Sequence, residues 1–124
     1  MFANSKIEIK ELSENNFTLI NIWASWCAPC RKEHKYLLLL KNKEKLKILG
    51  INFKDKKNKA KNFLKELGDP YFYNAKDQSG KKSIKLGAYG VPESILINNE
   101  LIIIKKFIGP INDLNYEEIL EIIN

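Results

Sequence analysis

The apolar residues of this chain occur in short runs separated by helix-forming segments, and this order restricts the fold more than any other feature. Residues 17–24 (FTLINIWA) and 46–53 (LKILGINF) are rich in β-branched and aromatic side chains, which is typical of buried strands. A helix is predicted between them, from Pro29 to about Lys43, because proline fits the first helical turn, where its missing N–H would have no partner. The first half of the chain therefore predicts strand, helix and strand.

The second half continues this alternation and ends in a hairpin and a helix. The further predicted elements are a weak edge strand at residues 6–11, a helix at residues 60–67 that Gly68 ends, a short strand at residues 71–73, a helical turn at residues 83–86, hairpin strands at residues 94–97 and 101–107, and a C-terminal helix capped by Asn112 or Asp113. This order predicts one α/β domain over residues 1–124. It has a mixed central sheet, helices on both faces and a helical insert after the second core strand.

The charge balance does not identify a partner. The chain has 21 Lys and Arg against 15 Asp and Glu, a net charge of +6, which is compatible with a nucleic acid or an anionic membrane surface. The lysines are scattered, densest at residues 54–65, with no stacking aromatics among them and no nucleic-acid-binding motif. We interpret them as a solvated face and expect no nucleic-acid partner. No apolar run in the sequence approaches the ~20 residues of a membrane-spanning helix.

The two cysteines of the chain, Cys27 and Cys30, are three positions apart at the predicted start of the first helix. The free N–H groups and the positive dipole end of a helix favour a thiolate at Cys27 over a thiol. Cys30 lies one helical turn further in, close enough to attack a disulfide formed at Cys27. The spacing therefore predicts a disulfide that opens and closes reversibly, which is the chemistry of thiol–disulfide exchange.

Three other roles of a cysteine pair compete with this one: a zinc site, covalent haem attachment and an inert disulfide. A zinc site needs about four ligands, and His34 alone leaves it incomplete, so we interpret His34 as a surface or core residue. Covalent haem attachment needs a histidine directly after the second cysteine, where Arg31 stands. An inert structural disulfide stays open as an alternative, although a chain of 124 residues is long enough to fold without one.

Four segments of the chain resemble a known family. They are NIWASWCAPCRKEH at residues 21–34, GINFKDKKNKAKNFLKELGDPY at residues 50–71, LGAYGVPESILI at residues 86–97 and FIGPIN at residues 107–112. They resemble the thioredoxin superfamily over nearly the whole chain. More specifically, they resemble the periplasmic, membrane-anchored CcmG/DsbE-type reductases of cytochrome c maturation, which are close to TlpA-like proteins. The resemblance implies a thioredoxin-like fold.

The resemblance also implies a carboxylate that handles protons for the cysteines. Thioredoxins carry a buried aspartate six positions before the first cysteine, where this chain has Asn21, whose amide cannot take up a proton. Glu33 and Glu93 are the candidates, because the family has acidic residues after the second cysteine and after the proline. Glu33 can equally be a surface residue in an ion pair beside Arg31 and Lys32, so both interpretations stay open. Glu93 opens an apolar strand, which packing does not explain.

A client-binding surface formed by Trp26, Val91 and Pro92 is implied in the same way. The resemblance implies a cis Val91–Pro92 bond that faces the cysteines. Because proline offers no N–H, the backbone of Val91 would be free to pair with an extended client segment. The alternative is that Pro92 only begins a strand. Trp26 is expected to shield the thiolate of Cys27, whereas Trp23 is expected in the core.

The implied function is that of a thiol–disulfide oxidoreductase that reduces the haem-binding CxxCH cysteines of apocytochrome c, with Cys27 as the attacking thiol and Cys30 as the resolving thiol. A membrane disulfide reductase of the DsbD/CcdA type would regenerate the dithiol, and no bound cofactor or metal is expected. The implied location is the periplasmic side of the inner membrane, where an N-terminal span that is absent from this chain would anchor the domain. The domain is expected to be a monomer. Two alternatives stay open: a general thioredoxin- or TlpA-like reductase with another client, and a non-catalytic module that binds a partner.

Overall fold

The computed structural model describes residues 2–3 and 14–124. The strands are β1 (Phe2–Ala3), β2 (Phe17–Trp23), β3 (Leu46–Phe53), β4 (Tyr73–Asp77), β5 (Glu93–Asn98) and β6 (Ile103–Ile108). The helices are α1 (Ala28–Lys41), α2 (Lys57–Leu67), α3 (Lys81–Lys85) and α4 (Asp113–Ile123). The described strands form one six-stranded mixed sheet in the order β1-β4-β3-β2-β5-β6. Among residues 2–3 and 14–124, no helix has the length and apolar character needed to cross a bilayer.

Strand β2 lies inside the sheet and positions the cysteines. It runs parallel to β3 and antiparallel to β5. Parallel neighbours need a crossover connection, which α1 provides between β2 and β3, and α2 provides between β3 and β4. Because β2 ends at Trp23, the chain leaves the sheet at the carboxyl end of this strand and enters α1 at Ala28.

Most predicted elements are confirmed, with small shifts at their ends. β3 has the predicted bounds, α1 begins one residue before Pro29, and the terminal hairpin and helix are both present. The cap of α4 is Asn112 rather than Asp113, because the Asn112 side chain accepts the N–H of Asn115 at 2.8 Å. A helix does follow the second core strand: it is α2, the crossover between β3 and β4.

The short strand predicted at residues 71–73 is wrong in position, since β4 is Tyr73–Asp77. Aromatic residues favour strands, but the N–H of Tyr71 bonds the side chain of Asp69 at 3.0 Å instead of a neighbouring strand. The more polar segment that follows pairs with β3 along its length. The edge strand predicted at residues 6–11 lies outside the described residues.

The sheet has two differently packed faces. Leu19 and Trp23 of β2 lie in a large core that contains both cysteines and takes side chains from α1, α2 and α4; we call this side the cysteine face. Ile20 and Ile22 lie in a smaller core on the other side, which we call the opposite face. Ala88, from the loop after α3, packs into that smaller core. The cysteine face therefore packs against three helices, and the opposite face packs against the loop that follows α3.

Candidate active site

Cys27 is the residue at which α1 begins. Its backbone is extended, and its sulfur accepts a hydrogen bond from the N–H of Cys30 at 3.2 Å, in the manner of a helix cap. The two cysteines form a disulfide with a Cα–Cα distance of 5.3 Å. Both are buried, with 4% and 1% of their surfaces exposed. The predicted position of the pair at the start of a helix is confirmed.

The two tryptophans beside the cysteines differ in environment. Trp23 is buried as predicted, stacks on Tyr71 with ring centres 5.4 Å apart, and donates to Asn74 Oδ1 at 3.0 Å. Trp26 is 58% exposed, and its indole N–H donates to the carbonyl of Lys54 at 3.0 Å. Trp26 thus presents an aromatic surface next to Cys27, and the hydrogen bond to Lys54 fixes the orientation of its ring.

Asn21, in β2 on the cysteine face, joins three buried side chains. Its amide nitrogen donates to Glu33 Oε2 at 2.9 Å and to Ser94 Oγ at 3.0 Å. Its amide oxygen accepts a hydrogen bond from the hydroxyl of Tyr71 at 2.7 Å. Both amide hydrogens and the oxygen are engaged, so the orientation of the amide is fixed. At the position where thioredoxins carry an aspartate, this chain carries Asn21, and its amide donates a hydrogen bond to the carboxylate of Glu33.

Glu33 is fully buried, so its interpretation as a surface residue beside Arg31 and Lys32 is wrong. The guanidinium of Arg31 lies 4.0 Å from Glu66 on α2 instead. The second oxygen of Glu33, Oε1, accepts the N–H of Ile111 at 3.0 Å. The carboxylate is therefore held by donors from β2 and from the segment that precedes α4.

The environment of Glu33 suits proton transfer. Burial raises the pKa of Glu33 from 4.5 to about 7, against the opposite effect of the hydrogen bonds from Asn21 and Ile111. Glu33 follows Cys30 by three residues on α1, a spacing that places both side chains on the same face of the helix. A carboxyl group that titrates near neutral pH thus lies one turn from the inner cysteine.

Tyr71 is a site residue that the sequence reasoning missed. Burial raises the pKa of its hydroxyl well above 10, so the hydroxyl stays protonated and donates to Asn21. Its ring occupies the space above Gly50 of β3, where a Cβ atom would lie 2.7 Å from Tyr71 Cδ1. Gly50, inside a strand rich in large apolar residues, was the available signal, since a glycine within a strand often marks a close approach of other atoms.

Glu93, the other predicted carboxylate, lies away from Glu33. Its neighbour Ser94 contacts Asn21 on the cysteine face, and adjacent residues of a strand point to opposite sides of the sheet. The side chain of Glu93 is therefore on the opposite face, where it is buried. The structure does not bring the two predicted carboxylates together.

Glu93 and Lys106 hold the loop that leads into β5, and we call this pair the loop clamp. Glu93 Oε2 accepts hydrogen bonds from the N–H groups of Tyr89 and Gly90, the second at 2.7 Å. The ammonium group of Lys106, on β6, lies 3.6 Å from Glu93 Oε1 and donates to the carbonyl of Gly87. It also lies 5.0 Å from the centre of the Tyr89 ring. The loop is thus fixed at three backbone positions, Gly87, Tyr89 and Gly90, and at the Tyr89 ring.

The Val91–Pro92 peptide bond at the end of this loop is cis, as the resemblance implies. Neither the N–H nor the carbonyl of Val91 has a hydrogen-bond partner among the residues that the structure describes. Val91 packs against both cores, the larger of which includes Cys27 and Cys30, whereas the carbonyl of Pro92 accepts the N–H of Gly109 at 3.0 Å. Within the described part of the chain, Val91 thus carries a backbone donor and acceptor that are both unpaired.

His34 lies in the core. Its Nε2 atom hydrogen-bonds the carbonyl of Gly68 at 2.8 Å, and its ring meets Phe63 edge-on, with ring centres 5.0 Å apart. Burial lowers the pKa of His34. His34 therefore links α1 to the end of α2. Within residues 14–124, the His, Cys, Asp and Glu side chains form no group of three or more that could hold a metal ion.

Comparison with known proteins places the chain in a family. The Redoxin family matches residues 3–120. The thiol:disulfide interchange protein DsbE of Vibrio cholerae is 41% identical over 102 residues, which are 82% of this chain and 55% of that protein. CycY of Rhizobium leguminosarum is 42% identical over 105 residues (85% and 56%), and DsbE of Escherichia coli is 40% identical over 107 residues (86% and 57%). The chain spans about half the length of these relatives.

Solved structures agree with the fold. The thioredoxin domain of a thiol-disulfide oxidoreductase from Bacteroides vulgatus matches with a TM-score of 0.78 and 22% identity, over 92% of this chain and 84% of that one. StoA from Bacillus subtilis matches with a TM-score of 0.69 and 24% identity, over 86% and 81%. These likenesses confirm the predicted thioredoxin-like fold. The chain belongs to the redoxin family, and its relatives include the DsbE-type proteins that its sequence resembles.

Proposed function

We propose that this domain is a thiol–disulfide oxidoreductase that acts as a reductant of protein disulfides. The observation that carries the proposal is a disulfide at the start of α1 with a buried carboxyl group one helical turn beyond it. The name thiol:disulfide interchange protein, carried by relatives that are 40–42% identical, supports the same chemistry.

The reaction transfers two electrons to the client. The thiolate of Cys27 attacks one sulfur of the client disulfide, the client S–S bond breaks, and one client thiolate leaves as a mixed disulfide forms at Cys27. Cys30 then loses its proton and attacks the sulfur of Cys27. The second client thiolate leaves, and the Cys27–Cys30 disulfide is complete. The helix start assists the first step, because the N–H of Cys30, directed at the Cys27 sulfur, and the positive dipole end of α1 favour its thiolate.

Glu33 is the proposed acceptor of the Cys30 proton. Both side chains are buried and share one face of α1, so bulk water has little access to the thiol. A carboxylate whose pKa is about 7 can take up a proton at neutral pH and release it again, directly or through one water molecule. Asn21 and Ile111 each donate to one oxygen and fix the direction of the carboxylate.

Glu93 is proposed to position the client-binding loop instead of handling the proton. The sheet separates it from Glu33, and its carboxylate is already bonded to the loop backbone at Tyr89 and Gly90. Together with Lys106 it holds the loop in the shape that presents Val91. Glu93 therefore acts on the reaction through the loop.

The proposed client-binding surface consists of Trp26, Val91 and Pro92. Trp26 offers an exposed aromatic surface beside Cys27. Val91 offers a backbone N–H and carbonyl that pair with none of residues 2–3 and 14–124, and to these an extended client segment can add as a short strand. Pro92 has no N–H that would compete for this segment.

The assignment of a particular client, reductase partner and location follows the family resemblance. We propose that the client is the CxxCH segment of apocytochrome c, and that a membrane disulfide reductase of the DsbD/CcdA type returns the dithiol form. The domain would then work as a monomer on the periplasmic side of the inner membrane, held by an N-terminal span. The resemblance of residues 50–71 and 86–97 supports this client.

A trapping experiment tests the proposal. Reduced Cys30→Ser protein is mixed with an oxidised CxxCH peptide, and a peptide adduct on Cys27 is expected by mass spectrometry because no resolving thiol is left. The wild-type domain should reduce the peptide without accumulating the adduct, and Cys27→Ser should do neither. A folded Cys30→Ser protein that forms no adduct would refute the proposed reductase function. Equal rates with a peptide whose histidine is replaced by alanine would favour a general reductase over a cytochrome-specific one.

A further inference from the structure

A cavity of about 550 Å³ lies between the active-site loop and helix α2, and the chemistry proposed above does not use it. Its apolar walls are Trp26 and Phe63. Trp26 directly precedes Cys27, and Arg31, another wall residue, directly follows Cys30. The cavity therefore borders the cysteine motif on both sides.

The walls of this cavity are fixed by hydrogen bonds. Asp55 Oδ2 accepts the N–H of Ser25 at 2.7 Å and the amide of Asn52 at 3.0 Å, and Oδ1 accepts the Ser25 hydroxyl and the N–H of Lys56, both at 2.8 Å. Lys54 has a φ of 43°, in the left-handed region that a residue with a side chain rarely adopts. In this conformation its carbonyl accepts the indole N–H of Trp26. Unusual backbone of this kind is concentrated at functional sites.

Positive charge dominates the lining. The cationic wall residues are Arg31, Lys54, Lys56 and Lys59, and the anionic ones are Asp55 and Glu66. Four hydrogen bonds occupy the carboxylate of Asp55, and Glu66 is exposed and lies beside Arg31. Lys56 and Lys59 form no ion pair with any residue in the described part of the chain. Their ammonium groups are available to a ligand.

We propose that this cavity, the cationic pocket, binds an acidic side chain of the client next to its disulfide. This inference rests on the proposed reductase function and adds a preference for acidic peptide segments. A carboxylate in the pocket would meet the ammonium groups of Lys56 and Lys59, while Trp26 covers the neighbouring peptide. Complementary charge speeds encounter more than it adds to affinity, so the preference should appear in the second-order rate constant. The first part of the lysine run at residues 54–65 is then a binding surface and not only a solvated face.

Three disulfide peptides test the proposal. They share one sequence with an internal disulfide and differ in two flanking residues, which are Glu, Gln or Lys. With the reduced domain at low salt, the Glu peptide should react about tenfold faster than the Gln peptide, and the Lys peptide more slowly still. About 0.5 M salt should remove most of the difference, because it shortens the range of charge interactions to a few ångströms.

Charge-reversal variants locate the effect. Lys56→Glu/Lys59→Glu should abolish or invert the preference. Both side chains are exposed at the start of α2, where acidic residues favour a helix, so the fold should tolerate the change. Lys43→Glu/Lys45→Glu is the matched control, with the same change in net charge at the opposite end of the sheet, and it should keep the preference.

The outcomes separate the pocket from the function. Equal rates for the three peptides, or equal loss of preference in both double variants, would refute the proposal that the cationic pocket binds an acidic side chain. If neither the peptides nor a small uncharged disulfide such as bis(2-hydroxyethyl) disulfide were reduced by the wild-type domain, the proposed function itself would fail. Reduction of this uncharged disulfide at an equal rate by all three proteins, with the peptide preference lost only in Lys56→Glu/Lys59→Glu, is the expected result.

Discussion

Glu33, which follows the cysteine motif, and Glu93, which follows Pro92, lie on opposite faces of the sheet. Asn21 donates hydrogen bonds to both Glu33 and Ser94, so the residue next to Ser94 must point to the other side. Glu33 shares a helix face with Cys30, whereas Glu93 bonds the backbone of the loop before β5. The proposed roles in proton transfer and in loop positioning therefore fall to different carboxylates.

Glu33 should make the folded domain less stable as the pH rises. Its pKa is about 7 in the folded domain and 4.5 ordinarily, so between these pH values the folded state binds more protons than the unfolded state. The free energy of unfolding should then fall from about pH 4.5 to pH 7, by roughly 3 kcal/mol from this residue alone. Glu33→Gln should lack this part of the pH dependence. Urea unfolding of the oxidised domain between about pH 4 and pH 8 measures it, and parallel curves for both proteins would contradict the prediction.

Glu33→Gln should also slow the resolving step selectively. Without the proton acceptor, conversion of the mixed disulfide to the Cys27–Cys30 disulfide should be about a hundredfold slower near neutral pH, while formation of the mixed disulfide is unchanged. Rapid quenching with acid and mass analysis of the adduct separates the two steps. Glu117→Gln, which changes an exposed glutamate on α4, should behave like the wild type. Equal slowing of both steps would assign Glu33 a purely structural role.

Tyr71→Phe should destabilise the domain through one lost hydrogen bond. The substitution keeps the ring in its stack with Trp23 but leaves the amide oxygen of Asn21 buried without a donor. Such an unsatisfied group costs about 1–3 kcal/mol. Chemical unfolding measures the loss. Tyr116→Phe is the control, because the Tyr116 hydroxyl bonds no residue in the described part of the chain, and an equal effect in both variants would refute the assignment.

Lys106→Met should weaken client binding without changing the thiol chemistry. Loss of the ammonium group frees the loop at Gly87 and Tyr89, so the KM for a peptide disulfide should rise roughly tenfold, the equivalent of about 1.4 kcal/mol. The rate with bis(2-hydroxyethyl) disulfide, a small uncharged disulfide that does not need the loop, should stay the same. Lys106→Arg should restore most of the binding.

Lys105→Met is the matched control for this prediction. It removes the same charge from the same strand, but the partner of Lys105 is Glu118 on α4, away from the loop. Its KM for the peptide should match that of the wild type. If Lys106→Met slowed the reduction of bis(2-hydroxyethyl) disulfide and of the peptide to the same degree, the loop clamp would not act through the client-binding loop.

The sequence by itself determined the local features of this protein. β3 and α1 were predicted nearly to the residue, because apolar periodicity and the place of Pro29 act within a few neighbouring residues. For the same reason the sequence alone places Cys27 at a helix start. These features need no information about distant parts of the chain.

Only the tertiary structure decided which groups meet. β4 forms over a polar segment because β3 lies ready to pair with it, and Glu33 is buried because Asn21 and Ile111, far apart in sequence, supply its hydrogen bonds. Glu93 points away from the cysteines because β5 pairs with β2 in a register that puts Ser94 opposite Asn21. Register between strands more than 70 residues apart follows from the packing of the whole sheet. Because a shift of one residue would exchange the two faces, no local pattern could assign the proton acceptor.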